Sequence, residues 1–170
     1  MKRISILVLV LTVFVWAEQS RPQASATKLP TDFIVVDSTG KTVGPVIGVG
    51  ETHSTAVAIS FQGSSLPVTV QRTSFLQTSL FWTSLDCSGQ AFQDESTSPF
   101  PVSAVGPGNK LFAASGPSQS ITVASGVFGG SPCFQIPPFP MSDAAPMAPV
   151  LNLNNTFTPP FKVVSKVREE

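Results

Sequence analysis

Histidine occurs once, at His53, cysteine only at Cys87 and Cys133, and tyrosine nowhere. One histidine offers one general base, so any Ser–His–acid arrangement would have to be built on His53. Two cysteines and that histidine make at most three metal ligands. None has the C-x-x-C or H-x-x-x-H spacing of recognisable zinc sites. Charge is sparse as well: Asp, Glu, Lys and Arg make up 12% of the chain, with ten basic and ten acidic residues. Binding to phosphate backbones needs clustered Lys and Arg, and no basic patch or basic amphipathic helix is visible, which argues against nucleic acid as a partner. No apolar run reaches the roughly 20 residues that span a bilayer. Beyond the N-terminus no segment of useful length carries a 3.6-residue apolar period, so helices are not expected to build the core.

What is present begins with an export signal. Met1-Lys2-Arg3 leads into an apolar run over residues 4–16, broken only by Ser5 and Thr12. Positive charge followed by a short apolar stretch is the layout of a secretory signal. Cleavage is expected after Ala17, with Ala26 as the second site, and no neighbouring cysteine suggests a lipid anchor. Residues 1–17 are thus read as a signal-peptide helix, 18–30 as a flexible arm, 31–165 as one β-rich domain and 166–170 as a charged tail. The exported part keeps eight basic against ten acidic residues, a net charge near −2. Its 22 serines and 15 threonines across the chain suit a surface wetted by hydroxyls, as in many extracellular β proteins. A secreted protein with no membrane span after signal cleavage is the expectation.

Short apolar runs then alternate with turn clusters. Strands are predicted over 32–37, 42–49, 53–61, 67–71, 80–85, 90–92, 100–105, 110–114, 120–125, 133–136 and 159–164. Turns are predicted at 38–41, 62–65, 86–89, 106–109, 115–118 and 129–132, where Gly, Pro, Asn, Asp and Ser gather. Residues 137–149 hold Pro137, Pro138, Pro140, Pro146 and Pro149. Proline cannot donate to a ladder, so this stretch is expected as a loop, an edge or a surface-hugging extended segment. Short strands punctuated by turns predict an all-β, single-domain antiparallel sandwich or barrel-like fold.

Two segments carry a resemblance. Asp37-Ser-Thr-Gly-Lys-Thr-Val-Gly-Pro45 and the aromatic strand ending in Asp86-Cys87-Ser88-Gly89-Gln-Ala-Phe92 occur in order, followed by Cys133 and by Thr158-Pro-Pro-Phe161. Together they resemble a group of small exported bacterial β-rich proteins with a DxxGKxVGP segment and a DCSG-aromatic segment. That group has no assigned activity, so no functional residue is carried over. The resemblance implies a bacterial, exported β domain, sometimes attached to other surface or fibre-like proteins.

Each candidate site competes with a structural reading. Asp86-Cys87-Ser88-Gly89 superficially matches the surroundings of a serine nucleophile, with His53 upstream as base. A tight turn explains it better: Asp86 bonds the backbone ahead, Ser88 does the same more weakly, and Gly89 takes positive φ. Cys87 as nucleophile with His53 as base requires a free thiolate, whereas an exported pair of cysteines oxidises. Cys87–Cys133 is therefore expected as a disulfide, the alternative being two buried free thiols. Asp94-Glu95 could touch calcium but reads as a solvated loop. Gly44, Gly48 and Gly50 lack the Lys-Ser/Thr pair and helix start of a phosphate cradle, so a twisted or bulged strand accounts for them. Asn154-Asn155-Thr156 is a glycosylation sequon that matters only in a eukaryotic source. Trp82 and the phenylalanines could form an aromatic platform for sugars or apolar ligands, although core packing is the default for aromatics in strands.

The reading is an exported protein without catalytic residues, cofactor or metal, structural or binding at the cell surface or in the medium; its partner is left open, and the resemblance implies a surface or fibre-like protein. The alternatives are a small secreted hydrolase, or a carrier with an apolar cavity.

Overall fold

A computed structural model describes residues 33–50, 53–95 and 101–166. The signal peptide, the arm and all but Lys166 of the tail lie outside the described residues. More than half of the described residues are strand: β1 (Phe33–Val36), β2 (Thr42–Val49), β3 (Thr55–Phe61), β4 (Ser64–Val70), β5 (Leu80–Trp82), β6 (Ala91–Asp94), β7 (Ser103–Gly106), β8 (Lys110–Ala114), β9 (Gln119–Val127), β10 (Phe134–Asn152) and β11 (Lys162–Ser165). The one α-helix among the described residues, α1 (Leu153–Thr156), is a single turn. The protein is all-β, built on two antiparallel sheets.

The first sheet runs β11-β1-β2-β3-β4. Its hairpins follow from local chemistry. The β3–β4 turn is the two residues Gln62 and Gly63, both at positive φ (48° and 82°), which matches the right-handed twist of the flanking strands. β2 shifts register against β1 and again against β3, and such bulges sharpen the bend of a strand. Gly44 sits at the tightest approach: a Cβ there would lie 2.1 Å from the Ala58 carbonyl oxygen. The bent sheet brings its two edges together, and the Phe161 N–H, just before β11, donates to the Arg72 carbonyl, just after β4, at 2.7 Å.

The second sheet runs β6-β5-β9-β10-β8-β7, and β6 also pairs with β10. The pairings β5–β6, β6–β10, β10–β9 and β9–β5 therefore form a closed circuit. Leu80, Trp82, Ala91, Val127, Ala145 and Met147 pack as one buried cluster from these strands. A larger cluster gathers Val35, Val57, Ile59, Val68, Phe75 and Phe161 with Val105, Leu111 and Leu153, joining the first sheet to the β7–β8 end of the second.

The proline-rich stretch meets expectation only in part. Residues 137–149 are the middle of β10: its first half pairs with β9 alone among the described strands and is mostly exposed, as the edge reading allows, whereas from Ala144 onward it pairs with β6 and then β8 and turns inward. Prolines lack only the donor, and their carbonyls still accept: Ser115 N–H donates to Pro146 O at 2.8 Å. Pro137 and Pro138 fall where the β9 register is interrupted between Gln135 and Phe139, so no ladder donor is required of them.

Candidate functional site

The Asp86–Gly89 turn is held by short-range bonds. The Ser88 N–H and hydroxyl both reach Asp86 Oδ1, at 3.2 and 2.6 Å, while Ser84 Oγ exchanges bonds with the Ser88 backbone at 2.9 and 3.0 Å. The Ser88 hydroxyl, and then that of Ser84, hold the Asp86 carboxyl below its ordinary value. Gly89 takes φ +82° as the turn reading requires, and Cys87 takes φ 56°, which the sequence did not signal. The Cys87 N–H donates to the buried Ser125 hydroxyl of β9 at 3.0 Å. Cys87 is bonded to Cys133, with Cα atoms 6.0 Å apart. Both sulfurs are thus occupied, and neither serves as thiolate nucleophile or metal ligand in this form.

His53 lies in another part of the fold. It precedes β3 and lines a cavity with Val35, Val70, Arg72, Phe161 and Lys162, none of which belongs to the Asp86–Gly89 turn. The structure does not assemble His53 with Ser88 or Cys87. Of the acidic pair, Glu95 accepts the Ser118 hydroxyl and donates its N–H to Asp143 O, while Asp94 lies in register with Ala144 of β10. Among the described residues no group of three His, Cys, Asp or Glu side chains is placed to hold a metal. Gly44 and Gly48 lie inside the bulged β2, as the strand reading required. The sequon falls on α1, where Asn154 Oδ1 accepts from Asn109 at 2.8 Å. Asn152, whose side chain accepts from the Asn154 and Asn155 N–H groups, caps that turn.

The other motif segments are fasteners. Asp37 is 1% exposed, and its carboxylate takes four donors: Thr39 N–H (2.9 Å), Thr39 hydroxyl (2.7 Å), Lys41 N–H (2.9 Å) and Thr158 N–H (3.0 Å). The Thr158 bond foremost, then the Thr39 hydroxyl, lowers its pKa to about 2. Lys41 Nζ donates to Thr156 O at 2.8 Å and stands 5.1 Å from the Phe157 ring centroid. The Asp37–Lys41 turn is thereby tied to the 156–158 segment, as the Asp86–Gly89 turn is tied to Cys133.

Aromatic residues differ in exposure, and Phe33, Phe61 and Phe112 are half-buried. Trp82, Phe75, Phe92, Phe157 and Phe161 are buried. Phe128, Phe134 and Phe139 stay 38–41% exposed and join half-buried Phe81 in a continuous surface cluster. Ring centroids are 5.4 Å apart for Phe81–Phe128, 5.2 Å for Phe128–Phe134 and 6.1 Å for Phe81–Phe139. Register explains the cluster. Phe81, Gly126 and Phe134 form one row across β5, β9 and β10, with glycine in the middle. The Phe128 ring lies over that gap, where a Cβ on Gly126 would meet it at 3.1 Å. The disulfide anchors the same connection, since Cys133 immediately precedes Phe134. The platform thus excludes Trp82, and cross-strand register, invisible in a linear pattern, selects its members.

No protein-family model, no curated protein and no solved structure matches this chain.

Proposed function

We propose that this chain is an exported, non-catalytic bacterial protein that binds an apolar surface of a partner protein at the cell surface, using the Phe81/Phe128/Phe134/Phe139 cluster. The observation that carries the reading is the exposure of these linked rings in a chain that buries Trp82, Phe75, Phe92, Phe157 and Phe161. Contiguous exposed apolar patches on soluble proteins mark interaction sites. Phenylalanine has no hydrogen-bonding group, so the cluster suits apolar protein side chains rather than sugar hydroxyls. Export is read from residues 1–17, cleaved after Ala17, and the Cys87–Cys133 bond is compatible with an oxidising compartment. In this reading the first sheet is a partly open barrel, and the second, closed on itself through the β6–β10 pairing, packs against it.

Cell fractionation tests the proposal. Protein lacking residues 1–17 by mass spectrometry should be retained on the cell exterior. A Phe128→Ser/Phe134→Ser/Phe139→Ser variant should be released to the medium with its melting temperature nearly unchanged. Intact Met1 in a membrane fraction would refute export, and equal retention of the variant would refute the role of the rings. Labelling of Ser88 by a serine-hydrolase probe that vanishes in His53→Ala would restore the hydrolase alternative.

A further inference from the structure

Where the two edges of the first sheet meet, a cavity of about 220 Å3 opens between the entry to β3, the residues after β4 and the start of β11. His53, Arg72 and Lys162 come from these three places and line it. They are the chain's one histidine and two of the five Lys and Arg among the described residues. No described carboxylate lines the cavity. The concentration of one sign is unusual in a chain with only 12% charged residues. The floor has the opposite character: Val35, Val70 and Phe161 are buried, and Val163 adds an apolar side wall. The seam bond from Phe161 N–H to Arg72 O fixes the backbone on which Arg72 stands.

We propose that this cavity binds a carboxylate carried on a short apolar stem, the stem on the valine and phenylalanine floor and the charge among Arg72, Lys162 and His53. Guanidinium offers two parallel donors to a carboxylate, and lysine adds a point charge. A bare inorganic anion fits poorly, because contact with the floor removes its hydration without compensating bonds. An uncharged stem leaves the Arg72 and Lys162 charges unanswered. The volume is below the ~300–1,000 Å3 of sites for drug-sized ligands, so the ligand is small or is the end of a chain.

The test is titration of the disulfide-intact protein, followed by amide shifts in proton–nitrogen NMR spectra, with hexanoate, 1-hexanol and sulfate as probes. Hexanoate should give saturable shifts at His53, Val163 and their neighbours, with hexanol and sulfate at least tenfold weaker. Arg72→Gln/Lys162→Gln, at two exposed side chains, should weaken hexanoate at least tenfold while leaving hexanol binding and the melting temperature unchanged. If that double variant is destabilised, Lys162→Gln alone should show a smaller loss in the same direction. A peptide ending in leucine carboxylate, compared with its amide, separates a chain terminus from a free acid as source. The proposal is overturned if neither hexanoate nor the peptide acid saturates, if sulfate binds as well, or if the folded double variant binds hexanoate like the parent.

Discussion

Replacing Cys87 or Cys133 by serine removes the chain's only disulfide, which joins the β5–β6 turn to the β9–β10 connection across a sequence separation of 46. In the chain-entropy account, closing a loop of that length restricts the unfolded state by roughly 4 kcal/mol. For a domain of this size each kcal/mol moves the melting temperature by about 2–4 °C, so a drop of about 8–16 °C is expected. The bond also holds Cys87 at φ 56°, a conformation that costs an L-residue roughly 1–2 kcal/mol. Cys87→Gly should therefore melt above Cys87→Ser, although both lose the bridge. The paired replacement should melt close to either single serine variant, because the first substitution already removes the whole cross-link. Thermal unfolding followed by circular dichroism, with non-reducing peptide mapping to confirm the parent bond, measures all four variants. Additive losses in the double variant, or single losses under about 2 °C, would refute the cross-link as a stabilising tie.

Asp37 has a pKa lowered to about 2 in the fold against an ordinary 3.8, so its contribution to stability is complete above about pH 4 and is lost as pH falls through 2. Urea midpoints between pH 6 and pH 2 should fall across that window, and Asp37→Asn should flatten the fall; an unchanged slope would sink the assignment. Gly44→Ala should destabilise more than Gly106→Ala. The first Cβ meets the Ala58 backbone oxygen at 2.1 Å, which cannot turn aside. The second meets only the ends of the Leu80 and Phe112 side chains at 2.7 Å, and overpacking of that kind costs about 1–3 kcal/mol. Urea denaturation giving equal or reversed losses would contradict the close approach at Gly44.

Much of the fold was legible because its strands alternate and its turns use residues with one clear conformational purpose. The expected strands 42–49 and 110–114 are β2 and β8 to the residue, and 53–61 overlaps β3 with its start two residues early. For 137–149 the proline count anticipates the exposed edge before Ala144 but not the paired, inward strand beyond it, since prolyl carbonyls can still accept and bulges excuse a donor. The expected strand 80–85 stops at Trp82, where the turn bonds of Ser84 and Asp86 take over. α1 carries no periodic signal, being one turn set by the Asn152 cap.

The residues easiest to recognise in the sequence turn out to fasten the fold, which explains why they suggested no activity. Asp37 grips Thr158, Lys41 reaches Thr156, and Cys87 bonds Cys133, so each early motif closes onto a late one. Each such contact joins residues at least 46 positions apart. A chain rich in bulges and proline needs ties of this kind to choose one strand arrangement among several, and they leave a recognisable spacing. Binding surfaces leave none. Phe81, Phe128, Phe134 and Phe139 become one platform only after β5, β9 and β10 come into register, and His53, Arg72 and Lys162 meet only when the sheet edges close. The two candidate sites and the fasteners are therefore separable by experiment. Substitutions at the exposed rings or the basic rim should change what the protein binds with little loss of stability. Substitutions at Asp37 or Cys87 should reduce stability first, and binding only through it.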